Sequence, residues 1–473
     1  MTTILLRAYR GYRAPPGGVL VASASGLLAG GIGAFLVLKP TLALLPLVSL
    51  GALVLLVNPT ARITFLVFGG LLALQSSQGL DLIKLGYLTG VLVSFAGALF
   101  SLSQRRNEPA FRLAVPLLRA SVAFFLLIIV SSLVASGHGV PRTDWLRDVA
   151  PYVLFASAPI FALDAQAWLS RKILLRLLFI AGSFATFSFA IHWLSVRQIA
   201  TLPISRVALS SFFFPAALFA YGAAASLQGA STRIRWLAVT SSIFALLIVT
   251  GTRSTFVLLF IPLAIAIGAR RYFAVRSLRL AVVAPVLVAL ALGAAYSVVL
   301  ATGASTKILS QRISILKGTG QSSSDASYND RLAQSHSAWK VFEENPVFGA
   351  GPGTTFSWVA NNGTGNSSFI LDTSLTFPAK FGIVGLSVVA LLTSSWIAFL
   401  RRLCSFNHPR TETLALIGLV AVAIPGALLA TPFEDKGFTL GLVLVLALAL
   451  RTYRPPPSPQ AGGTRDVTLR SGA

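Results

Sequence analysis

The stretch that decides the fold is RLAQSHSAWKVFEENPVFGAGPGTTFSWVANNGTGNSSFILDTSLTFPAKFGIVGL, residues 331–386. It forms the C-terminal part of a long polar interval in an otherwise apolar chain. The interval begins at Thr302, with apolar segments filling the chain before it and three more following it. A membrane protein has little reason to keep so large a polar segment unless that segment does something. We therefore expect it to cover a functional site at the edge of the bilayer.

The composition of the chain predicts a membrane protein. Of its 473 residues 55% are hydrophobic and 11% charged, and the mean hydropathy is +0.79. A soluble domain carries about 25% charged residues, so lipid is the better solvent for this much apolar surface. The fold expected is all-α, a polytopic transmembrane helix bundle of about 12–14 spans with one large extracytoplasmic loop containing helices. The predicted spans are 17–38, 41–58, 62–76, 83–103, 113–135, 148–164, 173–194, 207–227, 234–250, 254–270, 278–300, 379–400, 412–430 and 437–451.

Four regions follow from this pattern. An N-terminal transmembrane bundle occupies residues 1–301, the large extracytoplasmic loop 302–378, and the C-terminal transmembrane helices 379–452. Residues 453–473, rich in Pro and Gly, predict a disordered cytoplasmic tail. Within the loop, Tyr328–Glu344 predicts a helix that Asn345 and Pro346 stop, followed by a glycine turn over residues 349–353.

The distribution of charge predicts the orientation. The formal net charge is +24, and the basic residues cluster in alternate short loops, as the positive-inside rule requires. This places both termini in the cytoplasm and the large loop outside. Nucleic acid is not an expected partner, because the charges are interrupted by apolar segments. The single cysteine, Cys404, and four scattered histidines predict neither a disulfide framework nor a metal site.

Three arginines near the predicted outer face are candidate phosphate ligands, because a guanidinium group binds phosphate oxygens in a bidentate manner. Arg253 lies in TGTRST between two spans with almost no loop, where a diphosphate clamp and a snorkelling interfacial arginine are both open. Arg206, at the start of a span, has the same two interpretations. Arg331, on the loop helix, either binds phosphate or sugar or is a solvated surface charge.

Four further residues are candidates for chemistry or contact. Asp372, just before a span, is either a general base for an acceptor hydroxyl or a helix cap. Lys380 either offsets phosphate charge or anchors the span at the interface. His336 is either a general base or acceptor contact, or a surface residue. Glu434, beside Asp435, either binds a cation or sugar or is an ordinary loop charge.

Three motifs in order resemble the O-antigen ligase/polymerase superfamily of bacterial envelope glycosyltransferases. The first is GTRS at 251–254, a Gly-Thr-Arg-Ser element at a span junction. The second runs from Arg331 through Trp339 into NPVFGAG at 345–351. The third leads from Asp372 into GIVGL at 382–386. Ligases of this family carry a His-Asn pair in the third motif; this sequence has no histidine there, and Asp372 is the counterpart, one position closer to the glycine.

The resemblance implies an inverting, metal-independent glycosyltransferase of the plasma (inner) membrane that needs no cofactor. The donor would be an undecaprenyl-diphosphate-linked glycan in the membrane lipid, and the acceptor a sugar hydroxyl on another glycan or glycolipid. By motif position, Arg253 and Arg331 would bind the donor diphosphate. Arg206 and Lys380 are further candidate contacts to the diphosphate, from their places in the chain rather than from the motifs. Asp372 would be the base.

Two other classes of function remain open from the sequence. A transporter or flippase for a lipid-linked glycan also needs many spans, but it predicts inverted repeats and broken helices near mid-membrane, which are not evident here. A peptidoglycan-type glycosyltransferase would act on a cell-wall disaccharide instead. Transfer to a defined acceptor by the purified protein distinguishes an enzyme from a transporter.

Overall fold

The architecture is a bundle of helices with a single β-hairpin. The structure, a computed structural model, describes residues 44–74, 82–196, 211–227, 233–249, 253–270, 326–360, 363–368, 373–405, 410–429 and 432–453. Its helices are α1 (Leu44–Val57), α2 (Pro59–Thr64), α3 (Gly70–Ala73), α4 (Leu82–Ser103), α5 (Pro109–Gly137), α6 (Arg142–Trp168), α7 (Arg171–Val196), α8 (Phe213–Leu227), α9 (Arg233–Val249), α10 (Arg253–Arg270), α11 (Ala326–Glu344), α12 (Thr376–Ser405), α13 (Thr411–Leu429) and α14 (Lys436–Thr452). A π-helical turn (Phe65–Gly69) joins α2 to α3, a 3-10 turn (Pro432–Glu434) precedes α14, and β1 (Phe356–Ala360) pairs with β2 (Gly363–Ser367) in antiparallel register.

The prediction of an all-α polytopic protein is confirmed. Among the described residues, five helices are long and apolar enough to cross a membrane: α4, α5, α6, residues 171–192 of α7, and residues 376–404 of α12. Shorter apolar helices occupy the other predicted spans that fall in the described ranges. The predicted spans 17–38 and 278–300 lie outside those ranges, so the total of 12–14 stays a prediction.

Helix α5 shows why lipid is the solvent of this fold. Its buried face packs Ala120, Phe124 and Leu127 into the core. Its other face is equally apolar but exposed, with Val122 at 59%, Ile129 at 57% and Leu133 at 71% exposure. A helix that is apolar on all sides needs an apolar environment on both faces. The bundle supplies one, and a bilayer supplies the other.

Helix α14 lies at the centre of the bundle. Every residue from Gly437 to Leu450 is buried, and the helix packs against α6, α7, α8 and α13. Its LGLVLVLALAL sequence lacks a polar face, as a helix surrounded by other helices requires. Asp435 caps its N-terminus by accepting a hydrogen bond from the amide of Phe438 at 2.7 Å. The C-terminal segment is therefore the core of the fold.

The predicted spans 41–58 and 62–76 form one sharply bent pair, because the chain turns by 108° between α1 and α2. Asn58 caps α2 through its side-chain oxygen, and Pro59 occupies the first turn, where no amide is needed. By the positive-inside rule Arg62, between these two predicted spans, counts as a cytoplasmic loop charge, and the structure corrects its placement in a loop. Arg62 is a fully buried residue of α2 and forms a bidentate ion pair with Asp164 of α6 at 2.8 and 2.9 Å.

Polar contacts fall into two groups that follow the predicted sides of the membrane. At the end predicted to be cytoplasmic, Arg171 pairs with Glu412 at 2.6 Å, and Arg451 donates to the carbonyl of Gln166. The contacts of the loop helix, the hairpin and the glycine turn lie at the other end, as described below. Residues predicted to share a side therefore contact one another. Which end faces the cytoplasm stays a prediction.

Candidate functional site

The second and third sequence motifs bind each other through their backbones. Helix α12 is broken at Gly382, whose φ of 62° and ψ of −160° are not helical. The segment 346–351 fills this break. The amides of Ala350 and Gly351 donate to the carbonyls of Ala379 and Lys380, in the last turn before the break, at 2.9 and 3.0 Å. In return, the amides of Ile383 and Val384 donate to the carbonyls of Pro346 and Val347 at 2.9 and 3.1 Å.

Two glycines make possible this backbone contact between segment 346–351 and the break in α12, which we call the interlock. Gly349 (φ 71°) and Gly382 have backbone conformations that side chains disfavour. A Cβ atom at Gly349 would overlap the backbone of Lys380, and one at Gly382 would overlap the carbonyl of Val347. The two chain segments therefore approach each other with no room for a side chain between them. This contact gives a physical reason for the glycines in both motifs.

We expect Gly382→Ala to destabilise the protein. The backbone conformation of Gly382, at φ 62° and ψ −160°, is essentially confined to glycine and costs about 1–3 kcal/mol with a side chain. The overlap with Val347 must also be relieved by separating the two segments. The measurement is the yield of folded protein extracted from membranes and its thermal stability in detergent. Gly86→Ala, in a helical glycine of α4 with open space around it, is the control and should behave as the parent. Equal yields for both variants would contradict the interlock.

The glycine turn also docks on the ends of α5 and α6. Gly351 packs directly on Ala135 of α5, which leaves no space for a side chain. The imidazole Nδ1 of His138 donates to the carbonyl of Ala350 at 3.1 Å. The amide of Gly353 donates to the carboxylate of Asp148 at 2.6 Å. The turn is thus held by three helices, so the loop that follows it starts from a fixed position.

A buried ion-pair cluster lies beneath the turn and consists of Asp148, Tyr152, Lys380 and Glu434, which we call the Lys380 cluster. The Nζ of Lys380 lies 2.7 Å from Asp148 and 3.0 Å from Glu434, and the Tyr152 hydroxyl donates to Glu434. All four side chains are buried. Burial raises the pKa of the Glu434 carboxyl, while the Lys380 ammonium acts to lower it. Such a cluster is stable only when each charge keeps its partner.

The structure brings two predicted site residues together in this cluster. Lys380 was predicted as a phosphate contact or an interface anchor, and Glu434 as a cation or sugar ligand or a loop charge. The two residues, 54 positions apart in the sequence, form an ion pair instead. Arg331 and His336 are both exposed on α11. Arg253 is the first residue of α10. Arg206 and Asp372 lie outside the described residues, so their assigned roles stay predictions.

The chain on both sides of residues 369–372 is anchored to helices. Before that segment, the guanidinium of Arg147 donates to the hydroxyl of Ser368 at 2.8 Å. After it, the hydroxyl of Ser335 donates to Thr373, the residue that follows Asp372, at 2.9 Å. Ser335 lies four residues after Arg331, on the same face of α11. The helix that carries Arg331 is therefore bonded to the chain neighbour of Asp372.

Sequence reasoning missed Asp148, Tyr152 and Arg147, which hold the site from α6. The available signal was the presence of charged residues in the apolar sequence DWLRDVAPY at 144–152, since a charge within a span is costly unless it is paired. It also missed the hairpin. No group of three or more His, Cys, Asp or Glu side chains in the described ranges could hold a metal ion.

The helices and their apolar outer faces define a polytopic helical membrane protein. Within that class, a family model described as O-antigen ligase matches residues 236–373. The match confirms the resemblance to the O-antigen ligase/polymerase superfamily and indicates a glycosyl-transferring membrane enzyme. A comparison with curated proteins finds no match.

Proposed function

We propose that the protein transfers a glycan from an undecaprenyl-diphosphate carrier to a sugar hydroxyl at the outer face of the plasma membrane. The observation that carries the proposal is the extent of the family match. It includes Arg253 and Arg331 and ends at Thr373, one residue after Asp372. The matched region thus contains the whole of the first and second motifs and Asp372, the candidate base with which the third motif begins.

Arginines suit the donor side of this reaction. Breaking the bond between the glycosyl carbon and the diphosphate leaves negative charge on the phosphate oxygens, which fixed cations stabilise. Arg253 stands at the N-terminus of α10, where the unpaired helix amides also favour an anion. Arg331 adds a second guanidinium from α11. Two arginines and a helix terminus can neutralise a diphosphate without a metal ion.

The acceptor side needs a base. The acceptor hydroxyl oxygen attacks the glycosyl carbon, the diphosphate leaves, and the hydroxyl proton passes to a carboxylate, for which we propose Asp372. A single displacement of this kind inverts the anomeric configuration. The Lys380 cluster, which includes Glu434, supports the reaction by fixing the start of α12. Arg206 is proposed as an additional contact to the donor, and His336 as a contact to the acceptor.

Purified protein in lipid nanodiscs tests the proposal. The donor is an undecaprenyl-diphosphate oligosaccharide of defined structure, and the acceptor is a lipid-linked glycan from the same strain. We expect a longer glycan and free undecaprenyl diphosphate, detected by mass spectrometry. A protein that only transports lipid-linked glycans would leave the donor intact, and that result would overturn the proposal.

Asp372→Asn is expected to lower the transfer rate by about 100-fold or more, because an amide cannot accept the hydroxyl proton. Donor binding should change little, since the arginines remain. The rate and the donor KM are measured in the same nanodisc assay. Glu344→Gln, at an exposed carboxylate at the end of α11, is the matched control. Full activity in the Asp372 variant would remove this residue as the base.

A further inference from the structure

An open groove separates helix α11 from strand β1. Its volume is about 510 Å³, which falls within the range of small-ligand sites. The wall from α11 presents one face of that helix, and the other wall is the strand. The lining residues are Asn329, Leu332, Ala333, His336, Ser337, Lys340, Ser357, Trp358 and Val359.

The groove combines an aromatic surface with hydrogen-bonding groups. Trp358 packs on Gly365 of the paired strand, where a Cβ atom would overlap the indole, so the glycine makes room for the ring. On the opposite wall, His336 and Lys340 lie one helical turn apart, with Ser337 beside them. None of the nine lining residues carries a carboxylate. The groove thus offers an apolar ring face, an ammonium, an imidazole, an amide and hydroxyls.

This combination suits carbohydrate better than lipid or nucleotide. A sugar ring has an apolar face that packs on an aromatic ring, and hydroxyls that need many donors and acceptors. An acyl chain would leave the polar groups of the groove without partners. A nucleotide phosphate would be held by a single lysine, with no arginine or glycine-rich cradle among the lining residues.

We propose that the groove between α11 and β1 binds a short oligosaccharide segment of the acceptor glycan. The proposal rests on the proposed function and names the place where that function holds its acceptor. The position of the groove fits this role. Ser335, next to His336 on α11, donates a hydrogen bond to Thr373, the chain neighbour of Asp372. An acceptor held along α11 is therefore bound to the same helix that carries Arg331.

Direct binding tests the groove without turnover. The probe is the oligosaccharide released by mild acid from the lipid-linked glycans that accumulate in a strain lacking this protein. Binding to the full-length protein in nanodiscs is measured by saturation-transfer NMR and calorimetry. We expect Trp358→Ala to weaken binding about tenfold or more, because it removes the aromatic surface on which the sugar ring packs. Trp358→Phe, which keeps a ring face, should restore most of the affinity.

A second variant changes the other wall of the groove, the one formed by α11. Ser337→Trp fills the space from α11 and leaves the sequence of the hairpin unchanged. It should abolish binding, and this result does not depend on whether Trp358→Ala disturbs the strand. Lys340→Ala should weaken binding several-fold, whereas Lys172→Ala, at an exposed lysine at the opposite end of the bundle, should not. Unchanged affinity in Ser337→Trp would overturn the proposal.

Transfer assays on the same preparations separate this proposal from the proposed function. If the parent protein transfers glycan and the groove variants raise the acceptor KM at constant kcat, both proposals are supported. If transfer occurs with the same acceptor KM in all variants, the groove proposal fails alone. If the parent binds the oligosaccharide through the groove but transfers nothing, the groove proposal stands and the proposed function fails.

Discussion

Replacing Arg253 with alanine is expected to abolish glycan transfer while leaving the amount of protein in the membrane unchanged. The loss of one preorganised donor to a developing anion costs about 100- to 1,000-fold in rate. Arg253→Lys should recover only part of this loss, because an ammonium cannot form the bidentate contact. The readouts are glycan length and yield on gels, the nanodisc transfer rate, and an immunoblot of the membrane fraction.

Arg270→Ala is the matched control, because Arg270 is the last residue of the same helix, α10, at the end predicted to be cytoplasmic. It should leave glycan length and yield unchanged. The comparison tests the position of the arginine rather than its charge alone. Normal glycan length and yield from the Arg253 variant would exclude a diphosphate clamp at this position. Arg253 would then be an arginine that only anchors the helix at the membrane interface.

Replacing Lys380 with methionine is expected to unfold the end of the bundle that carries the Lys380 cluster. The change leaves the carboxylates of Asp148 and Glu434 buried without their cation, and breaking a buried pair costs about 3–5 kcal/mol. Unfolding of the purified protein in mixed micelles, with increasing denaturing detergent, measures the loss. Lys172→Met, at an exposed lysine, should cost little.

A compensating variant separates charge from packing. Lys380→Met combined with Asp148→Asn and Glu434→Gln removes all three charges and should recover much of the lost stability, since neutral replacements of buried ion pairs are often tolerated. If the single and triple variants are equally unstable, packing rather than charge explains the effect. If the single variant is as stable as the parent, the Lys380 cluster has no structural role.

The spans were predictable because each one is a local pattern. Helix α5 was expected over residues 113–135 and is found over Pro109–Gly137, and α11 was expected from Tyr328 and begins at Ala326. Hydrophobic length and helix-stopping residues are encoded by near neighbours in the sequence. The glycine turn at 349–353 was predictable for the same reason, and its three glycines have positive φ.

The contacts within the site were not predictable, because they join distant parts of the chain. Lys380 and Asp148 are 232 residues apart. The sequence around either residue does not indicate which residue it pairs with. Arg62 gave a misleading signal, because its position between two predicted spans indicates a loop charge, whereas its partner Asp164 lies 102 residues away in the sequence. The hairpin was missed because its strands are only five residues each and its second strand, GTGNS, lacks β-branched residues other than Thr364.

The break in α12 has a consequence for how the protein is assembled in the membrane and how it can be re-engineered. A helix interrupted at Gly382 leaves two carbonyls and two amides that lipid cannot satisfy. The segment 346–351 forms hydrogen bonds with all four of these groups. It therefore takes the place of the helical turn that α12 lacks at the break. In the predicted orientation this segment is extracytoplasmic, so the depth at which α12 enters the bilayer would be set by a segment that has already been translocated. Chimaeras that exchange the large loop between relatives should therefore carry the start of α12 with it, because neither part is complete alone.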